Sequence, residues 1–312
     1  MTTLDYEKIR AALDRIRPFV HETPLLSSSL LNQKLGHEIF FKAECLQKTG
    51  AFKARGALNT LISLKEKGQL PVEVVTFSSG NHAQAIAWSC QLFKVKAKIL
   101  MPESVSRAKL NATRSYGAEV ILFKKRSEVE EAVYGYQERG AYLIPPYDHD
   151  DVICGQGTAC LEALSQLTTL PDAVFAPCGG GGLISGSWLA TRQSSSIQVF
   201  GAEPLIANDA ARSRRDGRIF HWPDSPPTIA DGARTLHISE RTFQYIQKLD
   251  GIFEIPEEEI LYWTQWLCSL LKVHLEPTAA LGMAAALQWM KSQTTQKRVL
   301  VILSGGNVDR EG

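Results

Sequence analysis

From residue 72 onward, short apolar runs alternate with stretches of helical periodicity. Val72–Phe77 reads as a strand and His82–Phe93 as a helix; Ala97–Met101 and Ser106–Tyr116 repeat the pair. Glu119–Phe123 is a third strand, Ser127–Arg139 a third helix, and Ala141–Ile144 a short fourth strand. The second half follows suit, with strands at Ala173–Ala176, Val199–Ala202 and Val299–Leu303 and helices around Leu183–Ala190, 260–271 and 278–290. Strands that alternate with helices imply parallel sheets with helices packed on their faces. Before this region, Tyr6, Ile9, Leu13 and Ile16 fall on one helical face, and Ile39–Lys42 reads as a strand. The expected class is α/β, with two open parallel-sheet domains and a cleft between them.

Composition narrows the classes without changing that picture. The 312 residues suffice for two domains, and 44% hydrophobic with 21% charged residues is a globular balance. A formal net charge of +1 gives no field directed at nucleic acid or an anionic membrane. No apolar run reaches membrane-spanning length, and Asp5, Glu7 and Asp14 interrupt any signal-like stretch. Six cysteines without CxxC or zinc spacing read as buried free thiols, so a cytoplasmic location is expected.

Candidate chemistry begins at Lys48-Thr49-Gly50-Ala51-Phe52-Lys53-Ala54-Arg55-Gly56-Ala57, which follows a strand and opens a helix. The positive end of the helix dipole and burial both disfavour a protonated lysine there. A neutral Lys53 amine can attack a carbonyl and form an imine. By itself the motif is equally an ordinary surface lysine.

Three glycine-bearing loops leave predicted strand ends. Ser78-Ser79-Gly80-Asn81-His82 offers donors for a carboxylate, or simply caps a helix. Cys178-Gly179-Gly180-Gly181-Gly182-Leu183-Ile184-Ser185-Gly186 lets backbone N–H groups approach a phosphate at a helix start. Dinucleotide spacing fails, because Ile184 or Ser185 stands where the third glycine belongs, although Glu203 lies where a ribose-binding acid would. A P-loop fails because Ser187 replaces the lysine. A single small phosphate remains. Ser304-Gly305-Gly306-Asn307 follows the last strand, where α/β proteins place ligands.

AFKARGA, SSGNHAQA, CGGGGLISG, EPTAALG and LSGGNVD together resemble the signature blocks of the serine/threonine dehydratase and serine racemase family, fold type II of the pyridoxal phosphate enzymes. The likeness runs from about residue 20 to residue 309. It implies a large cofactor-binding domain, residues 1–71 and 146–312, with a small domain, 72–145, inserted in it. It implies Lys53 as the Schiff-base lysine, Phe52 against the cofactor ring, Asn81 on the ring hydroxyl and Gly179, Gly180, Gly181, Gly182 and Leu183 around the phosphate. Ser304 would face the ring nitrogen; a serine there leaves that nitrogen largely unprotonated and suits β-elimination. Ser78, Ser79, Asn81 and His82 would bind the substrate carboxylate and Thr235 would close the pocket, although His82 could be a helix-start residue with no substrate contact. Lys53 would take the Cα proton, and Ser79 would serve the opposite face in any racemisation.

The resemblance further implies a divalent cation (Mg²⁺, Mn²⁺ or Ca²⁺) held by Glu203, the Ala207 carbonyl and Asp209, against the alternative of a capped helix with solvated acids. His149-Asp150-Asp151 is expected to be a polar loop. A small amino-acid substrate and a homodimer are implied, with no nucleic-acid or membrane partner. The expected reaction converts L-serine, L-threonine or a related 3-hydroxy amino acid to a 2-oxo acid and ammonia. Serine racemase and 3-hydroxyaspartate dehydratase are the alternatives, followed by a β-replacement enzyme and a non-catalytic binder of phosphate ligands. Ala83 stands where many relatives of that family have glycine, Tyr147 holds a ring-side position that varies between Asn and aromatics, and Glu128 stands where some racemases have an arginine near the cleft. The Ala230–His237 segment is closer to the racemase and hydroxyaspartate branch. The chain ends after LSGGNVD, so no C-terminal regulatory domain is expected.

Overall fold

The structure is a computed structural model that describes residues 3–308 other than Ser79, Ser104, Ser106 and Lys125, and the backbone alone at Ala108, Arg126, Ser127, Glu130 and Glu131. The chain opens with α1 (Tyr6–Ile16), β1 (Leu25–Leu26), α2 (Ser29–Leu35), β2 (Glu38–Ala43) and α3 (Lys53–Glu66). Then come β3 (Glu73–Phe77), α4 (Asn81–Phe93), β4 (Lys96–Pro102), α5 (Arg107–Ser115), β5 (Glu119–Phe123), α6 (Arg126–Glu138) and β6 (Tyr142–Leu143). The remainder is α7 (Asp150–Gln166), β7 (Ala173–Pro177), α8 (Gly182–Ala190), β8 (Gln198–Pro204), α9 (Asp209–Asp216), α10 (Glu240–Ile246), β9 (Gly251–Ile255), α11 (Glu257–Leu271), α12 (Pro277–Met290) and β10 (Arg298–Leu303).

Two sheets result. The larger runs β1-β2-β10-β7-β8-β9 and is parallel except for the two-residue β1. The smaller runs β5-β4-β3-β6 and is parallel throughout. The strands β7 and β10 are buried on both faces, as central parallel strands with helices above and below must be. No helix among the described residues is long and apolar enough to cross a membrane. All six cysteines are free, and five are buried.

The expected strands and helices recur with ends moved by a few residues, which is usual for boundaries drawn from pattern. Helix α7 was not legible: its first ten residues after Asp151 are all buried, so no polar face marks a period. The His149–Asp151 segment is accordingly not a loop. His149 is the N-cap of α7, with Nδ1 accepting from the Asp151 N–H at 3.1 Å, and the two aspartates fill the first turn. Helix α7 crosses α8 at Gly157 and Gly186, where a Cβ on Gly157 would lie 2.6 Å from the Gly186 carbonyl oxygen. Only glycine permits that approach, and it brings the N-terminal end of α8 against the cleft.

Candidate active site

The cleft floor is assembled by backbone pairing between two loops. Ala51 bridges Gly305, the Phe52 N–H donates to the Ser304 carbonyl at 3.0 Å, and the Gly306 N–H donates to the Gly50 carbonyl at 2.9 Å. Asn307 Nδ2 adds a bond to the Thr49 carbonyl at 2.7 Å. These contacts fix the start of α3 against the end of β10, so Lys53 and Ser304 line one cavity of ≈ 870 Å³.

Lys53 is the first residue of α3 and is half-buried. Its Nζ donates to the Pro146 carbonyl at 2.7 Å and lies 5.0 Å from the Phe52 ring centroid. Withdrawal from solvent lowers its pKa to about 7, although the nearby Glu276 carboxylate acts the other way. An amine with this pKa is substantially unprotonated near neutrality, as a nucleophile or base must be. The Ser304 hydroxyl is buried and has no hydrogen-bond partner among the described residues. An orphaned buried hydroxyl is costly unless a ligand meets it.

The glycine loop leaves β7 and enters α8, whose N-terminus no side chain caps. Gly181 has φ +88°, a left-handed conformation, and a Cβ on Gly180 would lie 2.0 Å from the Tyr147 ring. Gly179, Gly180, Gly181, Gly182 and Leu183 all line the cavity. This is a backbone cradle that any side chain would fill.

The smaller sheet supplies the facing wall at the carboxyl end of β3. Ser78 Oγ accepts from the Gly80 N–H at 3.2 Å. His82 is buried, its Nε2 hydrogen-bonds the Ile144 carbonyl at 3.0 Å, and its Nδ1 has no partner among the described residues. Burial, aided by the charge of Lys53, lowers the His82 pKa to about 3, so the ring is neutral and its Nδ1 is an acceptor in the tautomer that donates from Nε2. Ser79 lies outside the described residues. Thr235 lines the opposite wall and donates to Asp209 Oδ1 at 3.4 Å.

Two residues that bind the walls together were missed from the sequence. Glu276, the N-cap of α12, is buried and accepts from Asn81 Nδ2 at 2.8 and 3.0 Å. Asn307 donates to Asn81 Oδ1 at 2.9 Å. Burial raises the Glu276 pKa to about 7, against the pull of the Asn81 bond. The signal lay inside EPTAALG, where an acid precedes a helix-opening proline, but a helix start explains that pattern equally well.

Glu203 and Asp209 come together behind the Thr235 wall, both buried. Glu203 accepts from the N–H groups of Ala210 and Ala211 at 3.1 and 2.8 Å, so it caps α9. Burial and the charge of Asp209 raise its pKa well above the carboxylate range, and burial raises Asp209 to about 7. Asp209 Oδ2 has no hydrogen-bond partner among the described residues, and Ala207 is buried. No cluster of three or more His, Cys, Asp or Glu side chains forms a metal cage among the described residues. Glu128 is exposed and does not line the cavity, whereas its neighbour Val129 does.

A family model described as pyridoxal-phosphate dependent enzyme matches residues 16–305. The chain belongs to that family. It is 46% identical over 309 residues to the L-threo-3-hydroxyaspartate ammonia-lyase of Saccharomyces cerevisiae, covering 97% of this chain and 93% of that one. It is 45% identical over 310 residues to the serine racemase of Schizosaccharomyces pombe, covering 98% and 95%. Among solved structures, maize serine racemase superimposes with a TM-score of 0.93 at 38% identity, covering 99% and 95%. The features described above fit pyridoxal phosphate: a nearly neutral lysine amine, a backbone phosphate cradle and an orphaned hydroxyl share one cavity.

Proposed function

We propose that this chain is an ammonia-lyase that converts L-serine, L-threonine or a related 3-hydroxy amino acid to a 2-oxo acid and ammonia. The observation that carries the reading is Lys53, whose amine is brought near neutrality in a cavity shared with the glycine cradle. Pyridoxal phosphate, when bound, supplies an electron sink for charge developing at the substrate Cα. In this reading Lys53 would hold the cofactor through its amine, and that amine would be the base for the Cα proton. Phe52 would pack beside the ring, and Gly179–Leu183 would hold the phosphate. Asn81, whose amide donates to both Glu276 carboxylate oxygens in the cofactor-free protein, would give up one of these bonds to meet the ring hydroxyl. Ser304 would face the ring nitrogen as a neutral group, a setting that suits loss of the β-hydroxyl.

The substrate carboxylate is assigned to Ser78, Ser79, Asn81 and His82, with Thr235 closing the pocket from the other wall. Residues 72–145 act as the small domain and residues 1–71 with 146–312 as the large one. Asp209, whose Oδ2 lacks a partner, is assigned with Glu203 and the Ala207 carbonyl to a divalent cation that would offset two adjacent buried carboxylates. Assembly as a homodimer and a cytoplasmic location complete the proposal.

Purified protein supplied with pyridoxal phosphate is expected to develop the absorption of a lysine-bound cofactor and to release ammonia from 3-hydroxy amino acids. A protein that stays colourless with the cofactor present contradicts the reading. Serine racemisation is the second reading, favoured by the 45% identity to the Schizosaccharomyces pombe enzyme. It predicts D-serine from L-serine, and Ser79→Ala is expected to abolish it.

A further inference from the structure

The cavity wall carries three lysine or arginine side chains, Lys53, Lys109 and Arg234. Lys109, from α5, is committed to an ion pair with Asp231 across the cleft. Lys53 is held at the Pro146 carbonyl and is assigned to the cofactor. Arg234 is different. It is exposed on the Gly232–His237 wall beside Thr235, and its guanidinium has no hydrogen bond or ion pair among the described residues. Of the two histidines on the wall, His82 is held neutral by burial, and His237 uses Nδ1 on the Ile238 carbonyl at 2.9 Å.

A guanidinium stays charged at any physiological pH and binds a carboxylate through two parallel bonds. The α-carboxylate of a bound amino acid is assigned to the Ser78–His82 wall, and its amine would then face Lys53. The wall opposite is the one that carries Arg234. A hydroxymethyl side chain gives Arg234 nothing to bind, whereas a second carboxylate would.

We propose that Arg234 is a specificity-determining residue that receives the distal carboxylate of a 2-amino-3-hydroxy dicarboxylic acid, and so favours that class over serine and threonine. The inference rests on the lyase reading for its chemistry, but not for its recognition. An Arg234 pair with the distal carboxylate accounts for selectivity without any change in the bond-breaking groups, because those groups act at Cα and Cβ.

The test uses L-aspartate and L-asparagine, which are nearly isosteric and differ in the distal charge. Calorimetric titration of the cofactor-loaded protein is expected to give tighter binding of aspartate by ten- to a hundredfold, about the strength of a charge-assisted pair. Arg234→Gln should bring that ratio to about one, and Arg234→Lys should retain part of it. The ratio of kcat/KM for 3-hydroxyaspartate to that for L-serine should fall by a similar factor in Arg234→Gln. An aspartate-to-asparagine ratio that is the same in parent and Arg234→Gln, or no binding of either ligand, overturns the proposal. If no 3-hydroxy amino acid releases ammonia, the lyase reading fails instead, and the affinity ratio still decides the role of Arg234.

Discussion

Lys53 and Arg55 stand two residues apart at the start of one helix, and their surroundings could hardly differ more. Two residues turn an α-helix by about 200°, so the side chains leave opposite faces. Arg55 is sealed in protein. Its Nε and Nη2 donate to Glu44 at 2.7 and 2.8 Å, and Nη2 and Nη1 donate to Glu162 at 2.7 and 3.2 Å. Lys42 joins Glu162 at 2.6 Å, so two cations meet two anions. Burial works against the Arg55 charge, yet Glu44 and Glu162 together push its pKa up. Lys53 opens on the cleft, has a carbonyl for its partner, and falls to about 7. Satisfied buried charges brace the fold; under-satisfied groups such as Lys53, the Ser304 hydroxyl and His82 Nδ1 wait for a ligand.

The sharpest way to break this contrast is to exchange the chemistries. Lys53→Arg keeps a positive charge but cannot give up its proton, so turnover should fall by about 10²–10⁴-fold or more, measured as ammonia release. Activity close to the parent would show that the amine is not the reacting group. Arg55→Met attacks the other side of the comparison. It leaves Glu44 and Glu162 without their guanidinium, and denaturant unfolding should show a loss of about 3–5 kcal/mol. A loss under about 1 kcal/mol would mean that the cluster does not depend on the arginine.

Glu276 sharpens the comparison through pH. Its folded pKa of about 7 lies above the ordinary carboxyl value of 4.5. Its stabilising contribution is therefore fully present below pH about 4.5 and is lost as pH rises through about 7. In cofactor-free protein, Glu276→Gln should remove a fall in stability of roughly 3 kcal/mol across that window. Parallel stability curves for parent and variant would contradict a buried carboxyl that loses its proton late. The smallest effect belongs to Ser304→Ala. Removing an orphaned hydroxyl should leave the cofactor-free protein as stable or more stable by about 1 kcal/mol, while cofactor affinity drops. A clear loss of cofactor-free stability would mean that Ser304 serves the fold.

These two environments were not equally legible in the amino-acid sequence. Lys53, the glycine loop and Ser304 could be found because ligand-facing groups sit at strand ends in compact motifs. Arg55 lies inside the same AFKARGA block, but nothing local shows that Glu44 and Glu162 will reach it, since Glu162 is 107 residues away. Glu276 and Asn307 were hidden for the same reason, because their partner Asn81 is brought to them only by the facing of two sheets. The strands were readable from alternation with helices, whereas α7, buried on every face with its polar residues Gln156, Thr158 and Glu162 turned into protein, offered no period. Glu203 and Asp209 were visible as acids, but the capping of α9 by Glu203 depends on how β8 delivers it to the helix start.

The central claim is that Lys53, and not another of the lysines, is the residue to which the cofactor is bound. Borohydride reduction of the cofactor-loaded protein, followed by peptide mass mapping, tests it most directly. The account predicts a single pyridoxyl-phosphate adduct on the peptide that contains Lys53, absent from Lys53→Arg. An adduct on a different lysine, or a labelled Lys53→Arg protein, would contradict it.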